Sequence, residues 1–201
     1  MDLIKKVENL RKNEISKIVN KRLKEFKNND WFSEMCFCIL TANSKAKTAI
    51  NIQKELGKDG FIKAEESEIR NCIRRNKHRF HNNKARYIVE ARKYLDIKNL
   101  VKNKTSVEAR EFLVKNVKGL GYKEASHFLR NVGYFDLAIL DRHILNLLVE
   151  NKIIKEKPKS LNKKIYFEIE EKFNCLAKKL DMSSAELDLY MWYLKTNEIL
   201  K

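Results

Sequence analysis

The chain has 201 residues, 43% of them apolar and 35% charged, and its 43 Lys and Arg against 27 Asp and Glu leave a net charge of +16. That length and apolar share suit one domain, or two small lobes with a real core, and exclude a disordered chain. No run approaches the roughly 18 apolar residues of a membrane span, and the opening Met-Asp-Leu-Ile-Lys-Lys lacks the apolar stretch of a secretion signal, so a cytoplasmic protein is expected. So large a cationic excess repels itself and is commonly offset by a polyanion. Charge alone does not separate DNA from RNA or from an acidic protein, and Lys-rich solvated helix faces would produce the same sum.

Five glycines and one proline are few breakers for such a chain, which predicts helix nearly throughout and an all-α fold. In chain order, Leu3, Val7, Leu10, Ile15, Ile18, Leu23 and Phe26 describe a single amphipathic first helix. Asp30 is placed to cap a second, from Trp31 to about Ala42, apolar almost all round and therefore central. It contains Cys36 and Cys38. With Cys72 and Cys175 these make no C-x-x-C pair and no zinc spacing, so all four read as structural thiols. Gly57 and Gly60 mark a turn. A basic run, Arg74 to His81, precedes a helix over 82–95 whose stripe is Ala85, Ile88, Val89, Arg92 and Leu95. Thr105-x-x-Glu108 is a capping-box pattern ahead of Ala109, Phe112, Leu113 and Val117, and Ser183-x-x-Glu186 repeats it before Leu187, Tyr190, Met191 and Leu194. Pro158 sits in a charged loop, 155–160. No internal repeat is present.

Three of the five glycines, Gly119, Gly121 and Gly133, fall within fifteen residues. Gly119-Leu120-Gly121 separates the helix after Thr105 from a stretch carrying Ala125, Phe128, Leu129 and Val132, and Gly133 marks where that stretch ends. Two glycines flanking an apolar residue make a tight turn free of Cβ atoms, with Leu120 pointing inward. The turn's N–H groups, at the positive end of a helix, suit a phosphate.

The segment Val117-Lys-Gly-Leu-Gly-Tyr-Lys-Glu-Ala125 resembles the helix-hairpin-helix element of DNA repair proteins. Leu137-Ala-Ile-Leu-Asp-Arg-His-Ile144 resembles the loop of the helix-hairpin-helix glycosylase superfamily, in which a required Asp is followed by a polar residue, His and an apolar residue. Lys123 and Asp141 are 18 apart, the separation that resemblance implies for bifunctional members. Leu40-Thr-Ala-Asn-Ser44 resembles the superfamily's helix end whose amide fills the hole left in the duplex, here Asn43 where Gln is usual. Arg79-Phe-His-Asn-Asn-Lys-Ala85 resembles its wedge segment, here Phe80 where Leu is usual. The match runs over about 30–150.

Many superfamily members hold an iron–sulfur cluster on four C-terminal cysteines, and here only Cys175 lies beyond residue 72. A short chain without that cluster and with the lysine resembles the type-two 8-oxoguanine DNA glycosylase/AP lyase family. The resemblance implies a two-lobed helical fold. Residues 31–134 would form a central lobe with the hairpin, and 1–30 with 135–201 the second, the cleft between them holding Lys123 and Asp141. It also implies a role for the chain terminus, Lys201, in recognising the damaged base. Trp192 or Trp31 could stack on that base, although both lie in apolar runs that suit a core.

The chemistry fits these residue types. Losing a base leaves positive charge on the deoxyribose, which a carboxylate, Asp141, stabilises and a neutral amine, Lys123, captures. The Schiff base that follows permits β-elimination of the 3′ phosphate, and no metal or organic cofactor is required. The nucleotide must first be flipped out, and Phe80 and Asn43 would offset part of that cost. Gly119, Gly121, His81, Lys84 and Arg142 are the expected contacts to double-stranded DNA containing a damaged base. His127 and His143 read as packing or loop-orienting residues, while His78 sits with His81 in the basic run. A monomer is expected, acting in the cytoplasm at the nucleoid. Two alternatives stay open: the same mechanism on oxidised pyrimidines, as in the endonuclease-three branch, and a non-catalytic DNA-binding hairpin protein in which Asp141 is only a helix cap.

Overall fold

The structure, a computed structural model, describes residues 3–201. Among these, twelve α-helices are joined by short connections and no strand is present: α1 (Leu3–Arg11), α2 (Glu14–Phe26), α3 (Trp31–Thr41), α4 (Ala46–Lys63), α5 (Glu66–Arg75), α6 (His81–Ala91), α7 (Ile97–Val101), α8 (Ser106–Asn116), α9 (Tyr122–Asn131), α10 (Arg142–Glu150), α11 (Lys163–Lys179) and α12 (Ser184–Thr196). The fold is all-α, and no described helix is long and apolar enough to cross a membrane. The helices divide into two compact units, 29–132 and 3–28 with 133–199.

The unit of residues 29–132 is built on α3. The Asp30 side chain accepts the Ser33 N–H at 2.9 Å, satisfying a donor the helix start leaves unpaired. From Met35 to Leu40 every side chain is fully buried, each of the large ones contributing about 1.5–3 kcal/mol. Phe37 meets the His127 ring edge-on at 5.5 Å, and Trp31 meets Phe128 at 5.9 Å, which seats α9 against α3. The expected turn at Gly57 and Gly60 is a break at Gly57 alone, with φ 61° and ψ −176°, and the helix resumes through Gly60. The predicted helix over 82–95 ends sooner, tightening after Ala91 into a 3₁₀ turn, Arg92–Tyr94. Arg92 there turns its guanidinium to the carbonyls of Phe61 and Ala64 at the end of α4, and Leu95 is left exposed. The Thr105 box forms as expected, with Glu108 accepting the Thr105 N–H at 2.8 Å and Thr105 Oγ1 accepting the Glu108 N–H at 3.3 Å. Behind it, fully buried Arg110 donates to Ser126 Oγ at 3.1 Å and ties α8 to α9.

In the other unit, the single first helix expected over 3–26 is two. Asn13 takes an extended backbone and its side chain accepts the Ile15 N–H at 2.9 Å, capping α2 and ending α1. The break lets Leu3 and Val7 as well as Val19 and Phe26 reach the core. At α12 only half of the second capping box is made: Ser183 Oγ accepts the Glu186 N–H at 3.1 Å, while the Glu186 carboxylate faces Arg11 at 3.8 Å. Pro158 lies in irregular chain, 151–162. Buried Tyr166 donates its hydroxyl to the Ala138 carbonyl at 2.8 Å, and Glu170 accepts the Ala138 N–H at 2.9 Å. These bonds pin the buried strip Leu137–Leu140, which leads straight into Asp141.

Candidate active site

The hairpin turn between α8 and α9 requires glycine for a visible reason. Gly119 sits at φ +90°, and a Cβ there would lie 2.9 Å from the Tyr87 ring. Leu120 is buried, as the apolar residue of the turn should be. Gly121 caps α9 with an extended backbone. Its N–H is not open to a phosphate, however, because it donates to Glu124 Oε2 at 3.3 Å. The other oxygen of the same carboxylate takes Lys123 Nζ at 2.9 Å, with the two side chains only 24% and 14% exposed. Glu124 thus occupies the anion position of the turn and anchors the amine expected to be the nucleophile. The sequence carried the signal: Gly121-x-x-Glu124 has capping-box spacing, hidden by a cap residue that lacks a side chain.

Lys84, expected on the phosphate backbone, is instead buried at the first turn of α6. Burial pushes its pKa down to about 8, against attraction from Glu124, and repulsion from Lys123 adds to the fall. Lys84 therefore feels the charge of the carboxylate that Lys123 binds directly.

The expected wedge and gap-filling residues lie on two turns joined by His78, a residue of the basic run. His78 is buried, and its Nε2 bonds the Leu40 carbonyl at 2.9 Å while Nδ1 accepts the Phe80 N–H at 3.2 Å. Burial holds the His78 pKa below its usual value, in keeping with a neutral ring that accepts at Nδ1. Asn43, beyond the end of α3, is exposed at φ +58°, a left-handed conformation Asn tolerates well. Phe80 is 36% exposed with the Arg79 guanidinium stacked over it at 4.7 Å. An exposed aromatic ring faced by a cation is a surface that stacked bases fit. His81 is half-buried, its Nδ1 3.4 Å from the His78 carbonyl.

In the other unit Asp141 caps α10. Oδ1 accepts the N–H groups of His143 and Ile144, both at 2.8 Å, and Oδ2 has no hydrogen-bond partner among the described residues. Arg142 is exposed and donates from Nε to His143 Nε2 at 3.3 Å; the His143 ring packs edge-on against Trp192 at 5.1 Å. Trp192 is part-exposed with its Nε1 buried and unbonded. After α12, Asn197 turns through φ 54° and the chain runs to a half-buried Lys201. Trp31 is part of the α3–α9 packing. No group of three or more His, Cys, Asp or Glu side chains among the described residues is arranged to hold a metal ion. Cys36, Cys38 and Cys72 are buried thiols, and Cys175 is exposed.

The family model described as 8-oxoguanine DNA glycosylase matches residues 14–182. The 8-oxoguanine DNA glycosylase/AP lyase of Methanocaldococcus jannaschii is 50% identical over 208 residues, covering the whole of both chains. The crystal structure of that organism's 8-oxoguanine glycosylase/lyase, in complex with a 15mer DNA containing 8-oxoguanine, superposes with a TM-score of 0.95 over 99% of each chain. The Thermotoga maritima 8-oxoguanine DNA glycosylase, at 43% identity, gives 0.93 over 99% of this chain and 98% of that one. By sequence along nearly its whole length, and by a hairpin turn that only glycine allows, the chain belongs to the 8-oxoguanine DNA glycosylase family.

Proposed function

We propose that the protein is a bifunctional DNA glycosylase/AP lyase of base excision repair, which flips out 8-oxoguanine, excises it through a Schiff base on Lys123, and cleaves 3′ to the abasic site by β-elimination. The observation that carries the reading is the placement of Lys123. It is the second residue of α9, directly beyond the Gly119 turn, with its amine held at 2.9 Å by Glu124 rather than free in solvent. A lysine serving only to attract phosphate gains nothing from an acidic partner and partial burial.

In this mechanism the Lys123 amine attacks C1′ while the base departs with the electrons of the glycosidic bond. Asp141 stabilises the positive charge that develops on the sugar. Its cap geometry supports that role: one oxygen is committed to the α10 backbone, which orients the other. Phe80 and Asn43 would enter the duplex where the nucleotide leaves it. Trp192 and Lys201 would read the extruded base, and Arg142 and His81 the backbone. A monomer acting on the nucleoid in the cytoplasm accords with the net charge of +16.

Borohydride trapping on a duplex with one 8-oxoguanine tests the reading. The parent chain is expected to give a covalent adduct and Lys123→Gln none, with strand cleavage reduced by about 10³-fold or more. An equal adduct from Lys123→Gln, or a preference for an oxidised pyrimidine run beside it, would reject the mechanism or the substrate respectively.

A further inference from the structure

The lyase step needs a base at C2′ as well as a nucleophile, and the neighbour of Lys123 is placed to be one. We propose that Glu124 is a catalytic residue of the β-elimination, taking the C2′ proton once the sugar is bound to Lys123. The inference rests on Lys123 being the amine that forms the Schiff base.

Glu124 Oε1 lies 2.9 Å from Lys123 Nζ, the atom that becomes bonded to C1′. C2′ is the carbon next to C1′, so a carboxylate that keeps its hydrogen bond to the iminium N–H stands beside the C2′ hydrogen. Heavy-atom separations in hydrogen-bond range are what a general base requires. One further contact holds the carboxylate there. Oε2 is fixed by the Gly121 N–H at 3.3 Å, at the positive end of α9. A Cβ on residue 121 would come within 3.2 Å of Oε2, so the bare glycine leaves the carboxylate room.

The step balances. Attack by the Nζ lone pair forms the N–C1′ bond as the C1′–base bond breaks and the base leaves with that bond's pair. The C1′–O4′ bond then breaks as one Nζ proton passes to the ring oxygen, leaving an iminium between Nζ and C1′. The C2′–H bond then breaks, its proton passing to Glu124 Oε1. The electron pair left at C2′ becomes the C2′=C3′ bond as the C3′–O bond breaks, and the 3′ phosphate leaves with that pair. No oxidant or further reactant enters.

Single-turnover assays of the full chain on an 8-oxoguanine duplex separate the two steps, since excision is read after alkali and cleavage without it. In Glu124→Gln, whose amide oxygen can still accept from Gly121, both steps are expected to slow because the amine loses its anionic partner, but cleavage is expected to fall at least about tenfold further than excision. The borohydride-trappable adduct should therefore accumulate. Glu124→Asp, which keeps the carboxylate, should recover part of the cleavage and guards against a glutamine variant that folds poorly. On a preformed abasic site the same order, parent above Asp above Gln, is expected. Cleavage unchanged in Glu124→Gln, or excision and cleavage falling by the same factor in both variants, would overturn the proposal. Absence of any adduct from the parent chain would instead overturn the role of Lys123.

Discussion

The two units fix the groups proposed to react by different means. Asp141 is held by its own helix: a short side chain at an N-cap, with two backbone N–H groups on one oxygen and a strip of buried chain pinned by Tyr166 and Glu170 just before it. Lys123 ends four methylenes from its backbone and is held by another side chain, Glu124, against repulsion from the charge of Lys84. A carboxylate at a cap inherits the precision of the backbone, whereas a lysine amine takes its position from whichever charges surround it. Function at Asp141 should accordingly survive only subtle changes of charge, while the hairpin should respond to changes in its electrostatic and steric surroundings.

Substitution at the cap offers the sharpest break of this contrast. Asp141→Asn retains an oxygen for the His143 and Ile144 N–H groups and is expected to melt like the parent. It should nevertheless lose about 10²–10⁴-fold in excision rate, because the charge proposed to face the sugar cation is gone. Asp141→Ala loses the cap as well and should cost about 1 kcal/mol of stability in addition. Equal losses of stability in both variants would mean that charge, and not the cap, holds α10 in place.

Lys84 tests the hairpin side. Its pKa falls from 10.5 to about 8 on folding, so between those values the unfolded chain binds a proton that the folded chain has shed. Stability owed to this residue therefore rises with pH across that window, and below pH ~8 the buried ammonium disfavours folding by up to about 3 kcal/mol. Lys84→Met is expected to be more stable than the parent at pH 7, with the advantage shrinking towards pH 10. Urea melts of both chains at the two pH values measure it. A constant difference would place the Lys84 ammonium in water.

Gly119 sharpens the steric side. Gly119→Ala forces a Cβ into the left-handed region and to 2.9 Å from the Tyr87 ring, at a cost of about 1–3 kcal/mol. Melting should show this, together with weaker DNA binding as the turn shifts. Gly121→Ala, at an extended backbone, is expected to cost less.

Much of this was legible in the chain itself, for identifiable reasons. Helix starts are local events, so Asp30, Thr105 and Ser183 could be read as caps, and the glycine turn with its inward Leu120 followed from spacing alone. Where one helix gave way to two at Asn13, the apolar period ran on through the break and concealed it. Leu95 fitted the stripe of α6, but Arg92 found carbonyls on α4 and ended the helix first. His78 gave no sign that it would join the Leu40 carbonyl to the Phe80 N–H, because one partner lies 38 residues away and the other depends on ring orientation.

By itself the sequence determined what depends on neighbours along the chain: an all-α fold, the hairpin turn, the capping Asp141 and the family these imply. Tertiary structure alone decided which cations are buried. Lys84 looks like any basic residue among 43, and only the packing of α6 in its unit takes it out of water and sets it against Glu124 and Lys123. Desolvation and charge–charge energies depend on distances in space, and those distances are settled only when the helices pack.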